Sequence, residues 1–83
     1  MNGEIFMHDV VALLADMPAE NLLTQQPLTL RRGDVGTVVM TYDGNAFEVE
    51  FAGRDGRAYA LLTVPADRLM ALHFEPSQAA GAA

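Results

Sequence analysis

Two glutamates separated by one residue, Glu48 and Glu50, are the first residues of this chain that could carry out acid–base chemistry. In an extended strand their side chains lie on one face, about 6.6 Å apart along the chain. An inverting glycosidase holds its two carboxyl groups roughly 6.5–9.5 Å apart, so the spacing alone is compatible with that reaction. Nothing beside them indicates a sugar cleft or an apolar pocket, and we interpret them as solvated acids with Arg57 as a diagonal partner. The pair therefore predicts no catalytic site.

Two histidines are the candidates for a metal site. His8 precedes the first predicted strand and His73 lies in the last one, with Asp9 and Glu75 beside them. The first and last strands are neighbours in a closed small barrel, so the two imidazoles could approach each other. A metal site needs about four converging ligands, and surface histidines near the chain ends are the simpler interpretation. We predict no metal site and no cofactor.

Other motifs lack a part that their chemistry requires. The run Gly33-Asp34-Val35-Gly36 has no Lys, no following helix, and an acid where a phosphate would bind. Ser77 is the sole serine and lies in the predicted tail, so a Ser-His-Asp arrangement is excluded. Without Lys or Cys the chain has no Schiff-base residue, thiol nucleophile or disulfide. We predict that the protein is not an enzyme.

Composition indicates one small acidic domain. The 83 residues carry a net charge of −6, from eleven acids against five Arg, which argues against binding of nucleic acid. Hydrophobic residues make up 51% of the chain, more than a thin core absorbs, so a partner interface is expected. No apolar run approaches the roughly 18 residues of a membrane helix, and the N-terminus has no secretion-signal pattern. We expect no membrane partner and a cytoplasmic location.

The elements that position these residues centre on a β-hairpin from Gly33 to Phe51. Asp43-Gly44, or Gly44-Asn45, supplies the positive φ angles of a tight turn, and Gly36 marks a predicted bulge or bend. Beyond the turn, apolar residues alternate with the two glutamates, so one strand face is buried and the other is wet. The predicted core comprises Val38, Met40, Phe47, Val49, Phe51, Ala60 and Leu62.

The flanking segments are predicted to complete a mainly all-β, five-stranded antiparallel barrel. The further strands are Asp9–Ala15, which is covered on both faces, Arg57–Val64 and Met70–Phe74, with a 3₁₀ turn at Pro65–Leu69. The stretch from Pro18 to Arg32 is interpreted as one long loop, with a possible helical turn at its start. Residues 1–8 form a leader, 9–74 the single domain and 75–83 a tail.

The chain resembles a family of short bacterial proteins, the domain-of-unknown-function family four-nine-two-six. The resemblance covers Asp9 to Leu72 and rests on the segments Asp9-Val-Val-Ala-Leu-Leu, Pro18, Arg32-Gly-Asp-Val-Gly-Thr-Val-Val, Ala46-Phe-Glu-Val-Glu-Phe, Asp55-Gly-Arg, Ala60-Leu-Leu-Thr-Val and Ala66-Asp-Arg-Leu. The chain departs from it in a longer Leu22–Leu30 stretch. The resemblance implies an SH3-like barrel and implies no activity, ligand or catalytic residue.

These observations favour a non-enzymatic protein-interaction module that self-associates as a dimer or, next, a tetramer. Strand parity places an apolar centre with a charged rim on the outer sheet face. The predicted interface residues are Val39, Glu48, Glu50, Arg57, Tyr59 and Leu61. One alternative is an antitoxin or immunity-type partner carried on mobile DNA, which neutralises a basic enzyme by charge complementarity. Another is a barrel that binds a small molecule, which requires a pocket with convergent polar groups.

Overall fold

The computed structural model describes residues 4–76, and its regular structure is almost entirely β-strand. The strands are β1 (Val10–Leu13), β2 (Met17–Glu20), β3 (Pro27–Leu30), β4 (Val35–Tyr42), β5 (Ala46–Ala52), β6 (Ala58–Pro65) and β7 (Leu69–Ala71). The predicted 3₁₀ turn is confirmed at Ala66–Arg68, and the last strand ends at Ala71 rather than at Phe74. Residues 1–3 of the predicted leader and 77–83 of the predicted tail, with Ser77, lie outside the described residues.

The strands form two separate antiparallel sheets. Five strands pair in the order β6-β5-β4-β1-β7, and β2 pairs with β3 in a second sheet. The mainly-β class is confirmed, but the predicted barrel is wrong because β6 and β7 lie at opposite edges of an open sheet. After β6, the 3₁₀ turn leads directly into β7, which pairs with β1. A closed barrel would require β6 and β7 to pair with each other.

The central hairpin forms at the predicted turn residues, but its loop has three residues rather than two, because Tyr42 pairs with Ala46. Asp43 and Gly44 have φ values of 56° and 71°, and the Asn45 N–H donates to the Tyr42 carbonyl over 3.0 Å. Consecutive left-handed residues match the twist of the flanking strands, which is why Asp-Gly is favoured at this position. The turn therefore brings β4 and β5 side by side.

The core lies between the inner face of the five-stranded sheet and the β2–β3 hairpin. Of the predicted core residues, Val38, Phe47, Val49, Phe51 and Ala60 are at most 2% exposed, and Leu62 packs against them. Val11, Leu13, Leu30, Val64 and Leu69 complete the cluster. The first strand is covered on both faces as predicted, since its three consecutive residues Val11, Ala12 and Leu13 are all buried.

Met40 is the exception among the predicted core residues. The register of β4 against β5 shifts between Val38 and Met40, so Val39 is an extra residue and the strand bulges there. Beyond the bulge, side-chain parity is reversed. Met40 therefore pairs with Glu48 on the outer side and is 49% exposed. The bulge lies at Val39 rather than at Gly36, which remains in register opposite Val11.

Tyr59 was predicted on the outer face, and that assignment is wrong. The register of β5 against β6 shifts between Phe51, which pairs with Ala60, and Ala52, which pairs with Ala58. Tyr59 is the extra residue at this shift, and its half-buried side chain packs against the core.

The stretch predicted as a long loop from Pro18 to Arg32 is the β2–β3 hairpin. Its tip is built by Asn21, whose side-chain oxygen accepts the N–H groups of Leu23 and Thr24 at 2.8 and 3.1 Å. Pro18 and Pro27 are both exposed in a two-stranded sheet, where a missing donor is tolerated. The expected helical turn is therefore replaced by a turn that the Asn21 side chain stabilises, and this turn makes the segment a hairpin.

Candidate interaction surface

The outer face of the five-stranded sheet gathers the residues with the clearest potential for binding. Strand pairing aligns Thr37, Glu50 and Leu61 in one row, and Met40, Glu48 and Thr63 in the next. Residues two apart on a strand share a face, which adds Val35 and Tyr42 from β4. We define the outer face as Val35, Thr37, Met40, Tyr42, Glu48, Glu50, Leu61 and Thr63.

The outer face carries large apolar side chains that solvent reaches. Val35, Met40, Tyr42 and Leu61 are 49%, 49%, 46% and 44% exposed. Single exposed apolar residues are ordinary on a soluble domain. Four of them around two acids on one sheet face form a mixed patch, which is typical of surfaces that bind proteins.

Hydrogen bonds fix the carboxylate of Glu48 within this face. The Thr63 hydroxyl donates to Glu48 Oε1 over 2.6 Å, and the Tyr42 hydroxyl donates to the same oxygen over 3.4 Å. The three side chains come from β4, β5 and β6, so the contact spans three adjacent strands. Glu48 is thus held in place, while its neighbour Glu50 is exposed.

The phenol of Tyr42 responds to this arrangement. Its pKa is raised above the ordinary value of 10.0 by desolvation, then by the charge of the Glu48 carboxylate, and then by their hydrogen bond. Each cause favours the neutral phenol over the phenolate. Tyr42 therefore ionises only at a more alkaline pH than an ordinary tyrosine.

Replacing Glu48 with Gln should lower the pKa of Tyr42 towards 10.0, because the change removes the negative charge beside the phenol. Ultraviolet absorbance of the phenolate, measured during an alkaline titration in a Tyr59→Phe background, reports Tyr42 alone. Glu50→Gln is the matched control, since Glu50 makes no hydrogen bond to Tyr42 within residues 4–76. Equal shifts in the two variants would contradict the specific contact with Glu48.

The carboxylate pair lies on an open sheet face rather than in a cleft. Glu48 is half-buried and Glu50 is exposed. The predicted pairing with Arg57 is wrong: within residues 4–76 the ion pair is Arg68 with Asp67, at 3.8 Å between exposed side chains. The Arg57 backbone N–H donates instead to the Asp55 carboxylate over 2.9 Å, which holds the exposed turn before β6.

The two histidines border the same shallow depression without forming a ligand set. Antiparallel pairing of β1 with β7 places His8 and His73 at the same end of the sheet. Both line a depression of about 450 Å³, together with Asp9 and Glu75. Within residues 4–76, no group of three or more His, Cys, Asp or Glu side chains is placed to hold a metal ion.

The six predicted interface residues are only partly brought together. Glu50 and Leu61 pair directly on the outer face, with Glu48 in the next row. Val39 is the half-buried bulge residue, and Arg57 precedes β6 at its exposed turn. Sequence reasoning missed three outer-face residues, Met40, Tyr42 and Thr63. The one-residue bulge moves Met40 and Tyr42 to the outer face, and the register of β5 against β6 brings Thr63 opposite Glu48. The interface itself stays a prediction.

No helix within residues 4–76 is long and apolar enough to cross a membrane.

Comparison with known protein families gives a match over most of the chain. The model of a family described as Domain of unknown function (DUF4926) matches residues 7–71, which include the seven strands found within residues 4–76. No curated protein and no solved structure matches the chain.

Proposed function

We propose that this chain, which belongs to the DUF4926 family of domains of unknown function, is a non-enzymatic interaction module. Its proposed partner is a basic protein. The observation that carries the proposal is the outer face, where exposed Met40 and Leu61 flank Glu48 and Glu50. Apolar side chains supply contact area, and the acids select a partner of opposite charge.

Charge favours a different protein over a second copy of this chain as the partner. The chain has a net charge of −6 and contains no Lys. A two-fold pairing of outer faces would place Glu48 and Glu50 close to the same acids of the copy, and like charges across an interface are costly. A basic surface meets no such penalty. A basic enzyme neutralised by this domain is one partner of this kind.

We propose that the scaffold is SH3-like. The strand order β6-β5-β4-β1-β7, the hairpin inserted between β1 and β4, and the 3₁₀ turn before the last strand support this assignment. A fold of this kind hosts many unrelated functions. The assignment therefore concerns the scaffold, and the functional proposal rests on the outer face.

Capture of partners from a native host lysate tests the proposal, with three forms of the protein as bait. Leu61→Arg removes an apolar contact directly opposite Glu50 and adds a positive charge to the outer face. Leu23→Arg is the matched control, because Leu23 is 56% exposed at the hairpin tip and the charge change is equal. We expect a basic protein to be captured by wild type and by Leu23→Arg, and to be lost with Leu61→Arg.

A titration with the purified captured protein completes this test. Binding should weaken steeply as salt is raised, because oppositely charged surfaces are screened within about 10 Å at 0.1 M ionic strength. The proposal is wrong if every protein captured by wild type is also captured by Leu61→Arg. It is also wrong if the captured protein is acidic.

Self-association through the outer face is the second candidate function. The exposed apolar side chains favour it, whereas the acids of the outer face do not. Sedimentation velocity at micromolar concentration in low salt separates the candidates. The preference for a basic partner predicts a monomer. A dimer that is stable in low salt and is dissociated by Met40→Glu would favour self-association instead. Met7→Glu is the control, since Met7 is 42% exposed and lies outside the outer face.

A further inference from the structure

Within residues 4–76, one edge of the five-stranded sheet has backbone groups with no neighbouring strand. β7 is last in the strand order and pairs with β1 alone. The Leu14 N–H donates to the Arg68 carbonyl over 2.8 Å, and the Leu72 N–H donates to the Val10 carbonyl over 2.9 Å. Backbone groups alternate in direction along an antiparallel strand. Those of Leu69 and Ala71 therefore point away from β1.

Within residues 4–76, the side of β7 that faces away from β1 has two free acceptors and one free donor. The Leu69 N–H is used, because it donates to the Ala66 carbonyl in the 3₁₀ turn. The Leu69 carbonyl and both backbone groups of Ala71 make no further backbone hydrogen bond within residues 4–76. Such a row of unpaired groups is a template for an added strand.

A groove of about 830 Å³ follows this edge. Leu69 and Ala71 line it from one face of β7, and Met70 with Leu14 lines it from the other. The groove therefore runs along the strand edge rather than across one face. Its remaining apolar wall is formed by Ile5, Phe6 and Phe47. An extended segment in this position would find apolar surface for side chains on both of its faces.

The opposite sheet edge is partly occupied from within the chain. The Leu22 N–H, at the tip of the β2–β3 hairpin, donates to the Tyr59 carbonyl over 2.8 Å at the start of β6. No comparable contact within residues 4–76 reaches the backbone of Ala71. Of the two edges, β7 is the one prepared to accept a strand.

The charged residues around the groove favour a basic occupant. The acids Glu4 and Asp67 line the groove, as does His73. Arg68 contacts Asp67 at 3.8 Å, but both side chains are exposed, and such a pair is weak. A second copy would bring the same acids and the same net charge of −6. We propose that β7 binds an extended segment of a basic partner, which adds as a sixth strand and carries alternating apolar residues with Arg or Lys beside them.

The groove adjoins the outer face at Met70, which lies in one row with Ala12 and Val35. The backbone groups of β7 are not part of the outer face, so the two proposals can fail separately. The probe is a set of fluorescein-labelled peptides of sequence Arg-X-Thr-X-Arg-X, in which X is Val, Ile, Leu or Phe. Anisotropy titrations should show saturable binding by members of the set. The strongest binder should be at least tenfold weaker when its backbone amides are N-methylated, because N-methylation removes the donors that strand addition requires.

Two variants of the protein locate the binding. Ala71→Pro removes the free N–H of β7 without breaking a bond to β1, and proline is tolerated at such an edge position. We expect it to lose binding at least tenfold, whereas Ala71→Ser and the outer-face variant Leu61→Arg keep it. If Ala71→Pro fails to fold, the N-methylated peptide decides the result. Absence of binding by the whole set, or equal binding of the N-methylated peptide, would overturn the proposal.

Discussion

Replacing Phe51 with Ala should lower the free energy of unfolding by about 3–5 kcal/mol. Phe51 is 0% exposed and has the largest of the fully buried side chains within residues 4–76. Its neighbours in the sheet include Ala60, which pairs with it directly and is also 0% exposed. So small a neighbour cannot fill the cavity that the lost ring would leave. The loss is large for a domain of this length, since small proteins are stable by only about 5–15 kcal/mol.

Urea denaturation of wild type and variant measures this effect. Phe74→Ala is the matched control, because Phe74 is 79% exposed and its removal should change the unfolding free energy by less than about 0.5 kcal/mol. A loss below about 1 kcal/mol for Phe51→Ala would contradict the assignment of this face as the core.

Replacing Gly36 with Ala should destabilise the protein by about 1–3 kcal/mol, because the added methyl group overpacks a closed site. A Cβ at this position would lie 2.7 Å from Val49 Cγ1, 2.8 Å from the Glu50 carbonyl oxygen and 3.0 Å from Phe51 Cδ1. One of these atoms belongs to the backbone of β5 and cannot move without disturbing the ladder. Gly36 is therefore required for the close approach of β4 to β5.

Gly53→Ala is the control for this prediction. A Cβ there would meet only the Asp55 carboxylate oxygen, at 3.4 Å, in ordinary contact. Thermal unfolding of both variants should show a clearly lower midpoint for Gly36→Ala and a midpoint near wild type for Gly53→Ala. The close packing of β4 on β5 would be wrong if Gly36→Ala unfolded at the wild-type temperature.

The central hairpin could be predicted from the sequence because two independent local signals agree. Asp43-Gly44 requires positive φ angles, and Phe47, Val49 and Phe51 alternate strictly with acids. The turn residues indicate where the chain reverses, and the alternation indicates which face of β5 is buried. Agreement between turn chemistry and periodicity is what made this element predictable.

The bulge at Val39 could not be predicted, because Val38, Val39 and Met40 are all apolar. Glycine often indicates a bulge, but none occurs at residues 38–40, and three consecutive apolar residues break the alternation without showing which of them is the extra one. The glycine nearby, Gly36, serves close packing instead. One extra residue was enough to move Met40 from the predicted core to the outer face.

The closed barrel and the long loop were wrong for a shared reason. The stretch from Pro18 to Arg32 was predicted as a loop, yet Pro18 and Pro27 both occupy exposed positions of a two-stranded sheet. Once β2 and β3 cover the inner face of the main sheet, the core closes without pairing β6 to β7. The packing of this hairpin against the main sheet is a long-range contact, which no local pattern in the sequence indicates.

Only part of the candidate site could be predicted, because its residues depend on both local alternation and long-range strand register. Alternation alone identified Glu48 and Glu50 as outward-facing. Their neighbours depend on the register between strands, which brings Leu61 opposite Glu50 and Thr63 opposite Glu48. Register arises from packing across the whole sheet, so Tyr42 and Thr63 became visible only in the folded protein.

The most direct test of the central claim is nuclear magnetic resonance of the methionine methyl groups, with isotope-labelled methionine and the captured basic protein as titrant. Met40 lies on the outer face, whereas Met17 packs against the core from the hairpin and Met7 precedes β1. Binding at the outer face predicts a large shift of the Met40 methyl resonance and unchanged Met17 and Met7 resonances. An unchanged Met40 resonance at saturation, with a shifted Met7 or Met17, would contradict it.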